Sequence, residues 1–205
     1  GNSLISIAIE ESVASTITDY EGNPVTDQIK NTGTLDADGG TIILAASSIN
    51  DIFTKAINLK GTVRANKLED RGGVVRIMAS GKVDISGKVM ADKVLIGDKT
   101  ICKIAIYPQE IPIPELTQLS LPVPSITLIP TVVTIDVEAM LTVTDLISVK
   151  ASEAINIDSS IEAPTVTLVS GGDVATRDSA ILQATNLNIT AQRFGTAATA
   201  LNLDA

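Results

Sequence analysis

The chain has 205 residues, with 24 acidic against 15 basic side chains and a net charge of −9. This acidic balance disfavours binding to a nucleic-acid backbone, which requires a basic surface. The chain has no histidine and no tryptophan, and aromatic residues make up 2% of it. These absences disfavour a sugar-cleaving groove, which relies on paired carboxylates or other bases and on aromatic platforms.

The first elements are a strand and a hairpin. The chain begins inside an alternating run, Leu4-Ile5-Ser6-Ile7-Ala8-Ile9, with no signal sequence before it, and we interpret it as an internal or processed piece of a longer protein. The Gly-Asn-Pro cluster in residues 18–25 predicts the tip of a projecting hairpin. Its acids lack the spacing of a calcium-binding loop, so a solvated turn is favoured over a metal site.

A nine-residue pattern, apolar-x-apolar-x-Gly-x-apolar-x-Ala, then returns four times. The copies occupy residues 29–37, 57–65, 83–91 and 155–163. Asn31 replaces an apolar residue in the first copy and Ser159 replaces glycine in the last. Alternation with period two places one set of side chains on each face of a strand, so the apolar set should be buried. The inward residues predicted in this way are Leu59, Val63, Ile85, Val89, Ile157 and Ile161.

Turns and insertions separate the matching strands. Gly39-Gly40 and Gly72-Gly73 predict sharp corners in which glycine supplies a positive φ. The polar stretches 47–55 and 66–71 are expected to be corner insertions that leave the stack unaffected. Within the first of them, residues 48–53 favour a short helical turn.

Residues 108–130 are rich in proline and carry six of the eight prolines, and residues 116–135 contain no charge. Proline cannot donate to a sheet ladder, so this segment cannot be a fully paired central strand, and it is too often interrupted for a membrane helix. Two interpretations stay open. The segment is either an apolar strip that packs against a partner or another copy, or an excursion along the chain's own flank. The candidate interface residues are Ile111, Ile113, Leu119, Leu121 and Val123. The single cysteine, Cys102, forms no disulfide within the chain and is expected to be a small buried apolar residue.

Three interleaved apolar series define a perimeter in the C-terminal third. They are Val149, Leu168 and Ile189; Ile161, Ile181 and Leu201; and Ile157, Val174 and Phe194. Their steps of 17 to 21 residues predict three short strands that recur about every 20 residues, as in a three-sided parallel β-solenoid. The predicted organisation is all-β, with coils in residues 1–97, a proline-rich extended insertion in 98–135, and coils again in 136–205.

Three blocks of the sequence carry a resemblance. They read Asn31-Thr32-Gly33-Thr34-Leu35-Asp36-Ala37-Asp38-Gly39-Gly40-Thr41-Ile42-Ile43-Leu44, then Ala56-Ile57-Asn58-Leu59-Lys60-Gly61-Thr62-Val63-Arg64-Ala65, and near the end Ile189-Thr190-Ala191-Gln192-Arg193-Phe194-Gly195-Thr196-Ala197-Ala198. Their succession resembles the filamentous haemagglutinin family of two-partner-secreted exoproteins, over roughly residues 4–97 and 140–205. The chain departs from that family at Asn23-Pro24, which Val25 follows in place of the Asn-Gly of its secretion motif. Residues 108–130 have no counterpart in the family.

The resemblance implies a right-handed parallel β-helix, export through an outer-membrane barrel transporter, and display on or release from a Gram-negative-type cell surface. We therefore expect a structural shaft segment of a large secreted or cell-surface adhesin, with a surface receptor as its partner. The alternative is a self-assembling extracellular filament or surface-layer subunit. No catalytic, metal-binding or cofactor-binding residues are expected. The outward acids Asp36, Asp84, Asp158 and Glu162 are interpreted as solvating side chains.

Overall fold

The computed structural model describes residues 3–13, 15–48, 52–66, 72–97, 128–177, 179–195 and 203–204. These residues form β-strands and no α-helix, and the strands pair in parallel within three sheets. The prediction of an all-β chain is therefore confirmed, and the architecture is consistent with a β-helix or solenoid. Among the residues described, no helix is long and apolar enough to cross a membrane.

The strands are numbered in chain order. The seven-stranded sheet contains β2 (Asp27–Asn31), β5 (Lys55–Leu59), β8 (Val83–Ile85), β10 (Val132–Ile135), β12 (Ala154–Ile157), β15 (Asp173–Thr176) and β18 (Arg193–Phe194). The nine-stranded sheet contains β1 (Leu4–Val13), β3 (Thr34–Asp36), β4 (Thr41–Ser48), β6 (Thr62–Arg64), β7 (Val74–Ala79), β9 (Lys88–Ile96), β11 (Met140–Ala151), β14 (Thr165–Ser170) and β17 (Asn186–Thr190). The three-stranded sheet contains β13 (Ile161–Glu162), β16 (Leu182–Gln183) and β19 (Leu203–Asp204).

Along the chain, successive strands join the sheets in a repeating order, so the chain forms a stack of similar layers that we call rungs. We define a rung as the chain from the start of one strand of the seven-stranded sheet to the start of the next. The strands β9 and β11 each fill two places in a rung. Their first halves continue the ladder of β3 and β6, and their second halves continue that of β4 and β7.

The first three copies of the nine-residue repeat stack directly on one another, and β10, which belongs to no copy, lies between the third and the fourth. Ile29 pairs with Ile57, Ile57 with Val83, Val83 with Val133, and Val133 with Ile155. The first apolar slots of the copies, together with Val133, therefore form one continuous column. Each copy of the sequence repeat therefore belongs to a separate rung, and it buries its apolar face against the neighbouring rungs.

A single aliphatic core fills the stack. All six residues predicted to point inward are 1% exposed or less, whereas Lys88, beside Val89, is exposed. The core cluster runs from Ile29 to Ala184 and contains only isoleucine, valine, leucine and alanine. Branched aliphatic side chains suit the pleated surface of these strands, and this explains why the chain needs so few aromatic residues.

One of the three predicted series is correct throughout, because Val149 pairs with Leu168 and Leu168 pairs with Ile189. The series through Ile181 is wrong by one residue. Ile161 pairs with Leu182, which is fully buried, while Ile181 is 38% exposed. Three consecutive apolar residues at 180–182 leave the phase of the alternation undetermined, and a slip of one residue exchanges the two faces of a strand.

The remaining series is wrong by two residues at one step. Val174 pairs with Phe194 as predicted, but it also pairs with Ile155, whereas Ile157 pairs with Thr176. Both Ile155 and Ile157 are fully buried. A two-residue slip keeps the same face inward, so the apolar pattern by itself does not fix the partner. The predicted end of the Ile161 series, Leu201, lies outside the described residues, and Leu182 pairs with Leu203.

Glycines play two distinct roles at the corners. Gly39 and Gly72 have φ values of 80° and 138°, as the sequence predicted. Gly61 and Gly87 of the repeat are needed for a different reason, since a Cβ on Gly61 would lie 2.0 Å from the carbonyl oxygen of Gly33, and one on Gly87 would lie 2.0 Å from that of Gly61. The corners at Gly61 and Gly87 therefore rest against the backbone of the preceding rung.

The predicted hairpin tip is confirmed. Thr18 and Pro24 form an antiparallel bridge, and the Asp19 carboxylate accepts hydrogen bonds from the backbone N–H groups of Glu21 and Asn23, each at 2.9 Å. Tyr20 at the tip is 96% exposed. The turn is held by its own side chain and backbone, as expected of a solvated turn.

The stack continues on the far side of the proline-rich segment. Gly97 and Pro130 are close neighbours, because a Cβ on Gly97 would lie 2.9 Å from Pro130 Cδ. The strand β10 then pairs with β8 and with β12. It begins at Val132, four residues before the boundary drawn at 136 from the sequence. The boundary at 136 lies at the end of the proline-rich, uncharged stretch. Val132–Ile135 nevertheless follows the last proline of that stretch and alternates as a strand should.

Candidate functional site

The ladder of stacked strands has one break among the described residues. The first half of β11 pairs with β9, and β13 pairs with β16, but β11 and β13 form no ladder with each other. The same two rungs are paired normally elsewhere, through β10 with β12 and through β11 with β14. The break is therefore local, and it leaves two strand edges facing each other.

The backbone on both edges is directed into this break. The N–H of Met140 donates to Gly87 in the neighbouring rung, at 3.1 Å. The N–H groups of Ile161 and Ala163 donate to the rung on the other side, to Ile181 and Gln183. Alternate residues of a parallel strand bond to opposite neighbours. The polar backbone groups of Leu141 and Val143, and those of Glu162, therefore point into the break.

A groove of about 780 Å³ lies at this position. Leu141, Thr142 and Val143 line it on one side, and Glu162, Ala163 and Pro164 line it on the other. An adjoining cavity of about 370 Å³ shares Leu141 and extends to Val137, Met140 and Asp158. The two spaces run along the break from the corner of the rung to the end of β13.

The groove partly uncovers the core. Leu141 pairs with Val89 and Val143 pairs with Ala91. The residues on β9 are fully buried, whereas Leu141 and Val143 are 9% and 7% exposed. Ala184 on the opposite wall is 9% exposed. The floor of the groove is therefore aliphatic, and it consists of side chains that stacking covers completely elsewhere.

Charges at the groove have one sign. Glu162 lines the main space and Asp158 lines the adjoining one, and no lysine or arginine is among the lining residues that the structure describes. Lys88 pairs with Met140 from the side away from the break. Val137 and Met140 at the rim are 51% and 57% exposed. The groove thus combines an acidic rim with an apolar floor.

The residues described at the groove are suited to binding an extended chain. Among the lining residues that the structure describes, Glu162 is the one titratable side chain in the main space. Throughout the described ranges, no group of three or more histidine, cysteine, aspartate or glutamate residues is arranged to hold a metal ion. Backbone donors and acceptors beside an apolar floor are instead what an extended chain requires.

Two of the four acids interpreted as solvating are ion-paired between rungs. Asp36 pairs with Arg64, and this hydrogen bond to the guanidinium holds the pKa of Asp36 below its ordinary value. Asp84 pairs with Lys55. The sequence interpretation missed these contacts because their partners lie 28 and 29 residues away along the chain. Asp158 and Glu162 line the groove.

Other polar clusters join neighbouring rungs in the same way. Arg193 donates to both carboxylate oxygens of Asp173, each at 2.8 Å, and this contact lowers the pKa of Asp173. Asp92, which is 8% exposed, accepts hydrogen bonds from Gly72 N–H and from the Thr144 hydroxyl. These groups stabilise corners and outer faces.

The sequence did not predict the groove. Its candidate interface residues, Ile111, Ile113, Leu119, Leu121 and Val123, lie outside the described residues, as does Cys102. A signal for the groove was nevertheless present. The corner between β10 and β11 has four residues and no glycine, whereas the corner between β5 and β6 has two residues, one of them a glycine.

Comparisons with known proteins leave the family open. No protein-family model, no curated protein and no solved structure matches the chain. The function is therefore inferred from the stack, the groove and the chemistry of their residues.

Proposed function

We propose that the chain is a structural, non-catalytic shaft segment of a large secreted or cell-surface adhesin of the filamentous haemagglutinin type. The observation that supports this most is the column of paired residues that runs from Ile29 through Val83 and Val133 to Phe194. A stack of rungs in contact only with their neighbours is suited to extending a molecule.

We further propose that the stack is a right-handed, three-sided coil of about 20 residues. Strand positions recur in rotation, and Val133, Ile155, Val174 and Phe194 follow one another at steps of 22, 19 and 20 residues. Right-handed crossover is the strong preference for parallel strands joined by a connection.

Export and display follow from the same proposal. A chain with one cysteine needs no disulfide to fold, and rungs can stack one after another as the chain emerges from an outer-membrane barrel transporter. The acidic surface keeps such a rod soluble outside the cell. The expected partners are the transporter during export and then a surface receptor, with no role for nucleic acid.

The second candidate is a self-assembling filament or surface-layer subunit, and one observation favours it. Ile7 in β1 and Phe194 in β18 occupy inward slots of strands at the ends of the nine-stranded and seven-stranded sheets, yet they are 38% and 55% exposed. Exposed inward slots next to unpaired strand edges could pair with another copy, because such edges are templates for strand addition.

Sedimentation of end-capped variants separates the two candidates. Ile7→Lys and Phe194→Glu place charges in the terminal slots while leaving the central rungs intact. A shaft segment is expected to remain a monomer as these variants across a wide concentration range. Regular polymers of the unmodified chain in electron micrographs, lost in both variants, would favour the filament subunit instead.

Immunogold labelling of intact producing cells tests display. Antibodies raised against the 205-residue chain should label the cell surface or detect the chain in the medium. Labelling confined to broken cells would contradict the proposed location.

A further inference from the structure

We propose that the groove between β11 and β13 binds an extended, positively charged peptide segment of another protein, which adds as a strand to the exposed edges. This inference does not depend on the shaft role. It follows from the break in the ladder, the aliphatic floor and the sign of the rim charges.

The backbone supplies the first part of the recognition. Leu141, Val143 and Glu162 direct their N–H and C=O groups into the groove, and no hydrogen bond within the described chain satisfies them across the break. An incoming strand provides complementary groups at the same spacing. Strand addition to an open sheet edge is an established mode of peptide recognition.

The floor supplies the second part. Leu141 and Val143 are partly uncovered where their partners on β9 are fully buried. Apolar side chains on one face of a bound strand would cover them, because alternate residues of a strand point to the same face. The volume of about 780 Å³ falls within the range of known ligand sites, about 300–1,000 Å³.

The negative charge at the groove favours a positively charged peptide as its occupant. Glu162 and Asp158 line the groove without a lysine or arginine among the lining residues described, so lysine or arginine side chains on the outer face of the peptide would be attracted. A second copy of this chain is a poorer occupant, since each copy carries a net charge of −9 and two such copies repel one another.

Peptide titration tests the proposal directly. The probe is a fluorescein-labelled heptapeptide of alternating sequence, Lys-Val-Thr-Val-Lys-Val-Lys, blocked at both ends. We expect saturable binding to the full chain and slower hydrogen exchange at the amides of Leu141, Val143 and Glu162. The same peptide with N-methyl groups on alternate residues should lose binding, because it cannot form the ladder.

Charge variants provide the second measurement. Glu162→Gln should weaken binding about two- to fivefold at low ionic strength, the range for an exposed ion pair, and the difference should shrink in high salt. The matched control is Glu153→Gln, which removes another exposed carboxylate that is not among the residues lining the groove and should bind as the unmodified chain does. Circular dichroism checks that both variants keep the fold.

Three results would overturn the proposal. The first is equal binding of the N-methylated and unmodified peptides, or no saturable binding of either. The second is an equal loss of affinity in Glu162→Gln and Glu153→Gln. The third is protection of the Leu141 and Val143 amides that rises with protein concentration without peptide, since the occupant would then be another copy.

Discussion

Val89 and Lys88 are adjacent in β9, but they occupy opposite environments. Val89 is fully buried and Lys88 is exposed. Val89→Asp should lower the free energy of unfolding by about 3 kcal/mol or more, because it buries a carboxylate without a partner. Lys88→Asp should change it by less than about 0.5 kcal/mol. Urea unfolding followed by circular dichroism measures both, and similar losses at the two positions would refute the assigned faces.

Gly87 and Gly33 occupy the same slot of the repeat but differ in their surroundings. A Cβ on Gly87 would lie 2.0 Å from a backbone oxygen, whereas a Cβ on Gly33 would meet nothing within 4 Å. We expect Gly87→Ala to destabilise the chain by about 1–3 kcal/mol through overpacking. Gly33→Ala should be neutral or slightly stabilising, because it restricts the unfolded chain. A thermal melt of each variant gives the comparison, and a loss at Gly33 equal to that at Gly87 would contradict the account of the corner.

At the start of strand β16, two adjacent apolar residues lie in opposite environments. Leu182 is fully buried and pairs with Ile161, while Ile181 is 38% exposed. Leu182→Ala should cost about 2–5 kcal/mol, as expected for truncation of a core residue, and Ile181→Ala should cost less than about 1 kcal/mol. Chemical denaturation of the two variants decides the phase of the strand. The reverse order would restore the phase that the sequence series predicted.

Strands β15 and β18 are joined by the ion pair between Asp173 and Arg193. The hydrogen bond to Arg193 lowers the pKa of Asp173 in the folded chain, so the pair stabilises the fold above the unfolded pKa. That contribution is lost as the pH falls through the folded pKa. Titration by carbon-detected NMR should place the Asp173 midpoint below 3.8, its ordinary value.

Arg193→Gln is the variant for this titration, and it should return the Asp173 midpoint toward the ordinary value. Asp36, which pairs with Arg64, is the internal control, and its midpoint should not move. An Asp173 midpoint unchanged by Arg193→Gln would show that the pair does not form in solution.

Much of the fold could be predicted from the sequence, because the repeat encodes both burial and stacking. The slots of Leu59, Ile85 and Val89 follow from period-two alternation alone. The phase at Ile181 could not be predicted, because neighbouring apolar residues permit either face. The partner of Val174 could not be predicted either, because a two-residue slip preserves the pattern.

The groove was less predictable than the core for a physical reason. It arises where the ladder between β11 and β13 fails, and pairing between rungs is a property of two segments about 20 residues apart. The four-residue corner after β10 indicates an irregular rung, but it does not indicate which neighbouring strand remains unpaired. In the sequence, Glu162 is one outward acid among several. Its position at the rim of the groove follows only from the missing ladder between β11 and β13.

The strands on either side of residues 98–127 belong to one stack, because β9 pairs directly with β11. Met90 in β9 and Thr142 in β11 are paired neighbours on the outward face, although they lie 52 residues apart. Paired residues on neighbouring strands lie about 5 Å apart, within the range that a disulfide can bridge. Met140, two residues before Thr142, would be about 8 Å from Met90, which is beyond that range.

Disulfide formation between these positions is the most direct test of the continuous stack. In a Cys102→Ser background, Met90→Cys with Thr142→Cys should form the bond readily in a glutathione buffer, as measured by mass spectrometry of the intact chain. Met90→Cys with Met140→Cys should form it poorly. Equal yields in the two pairs, or a higher yield in the second, would contradict an in-register stack on both sides of the proline-rich segment.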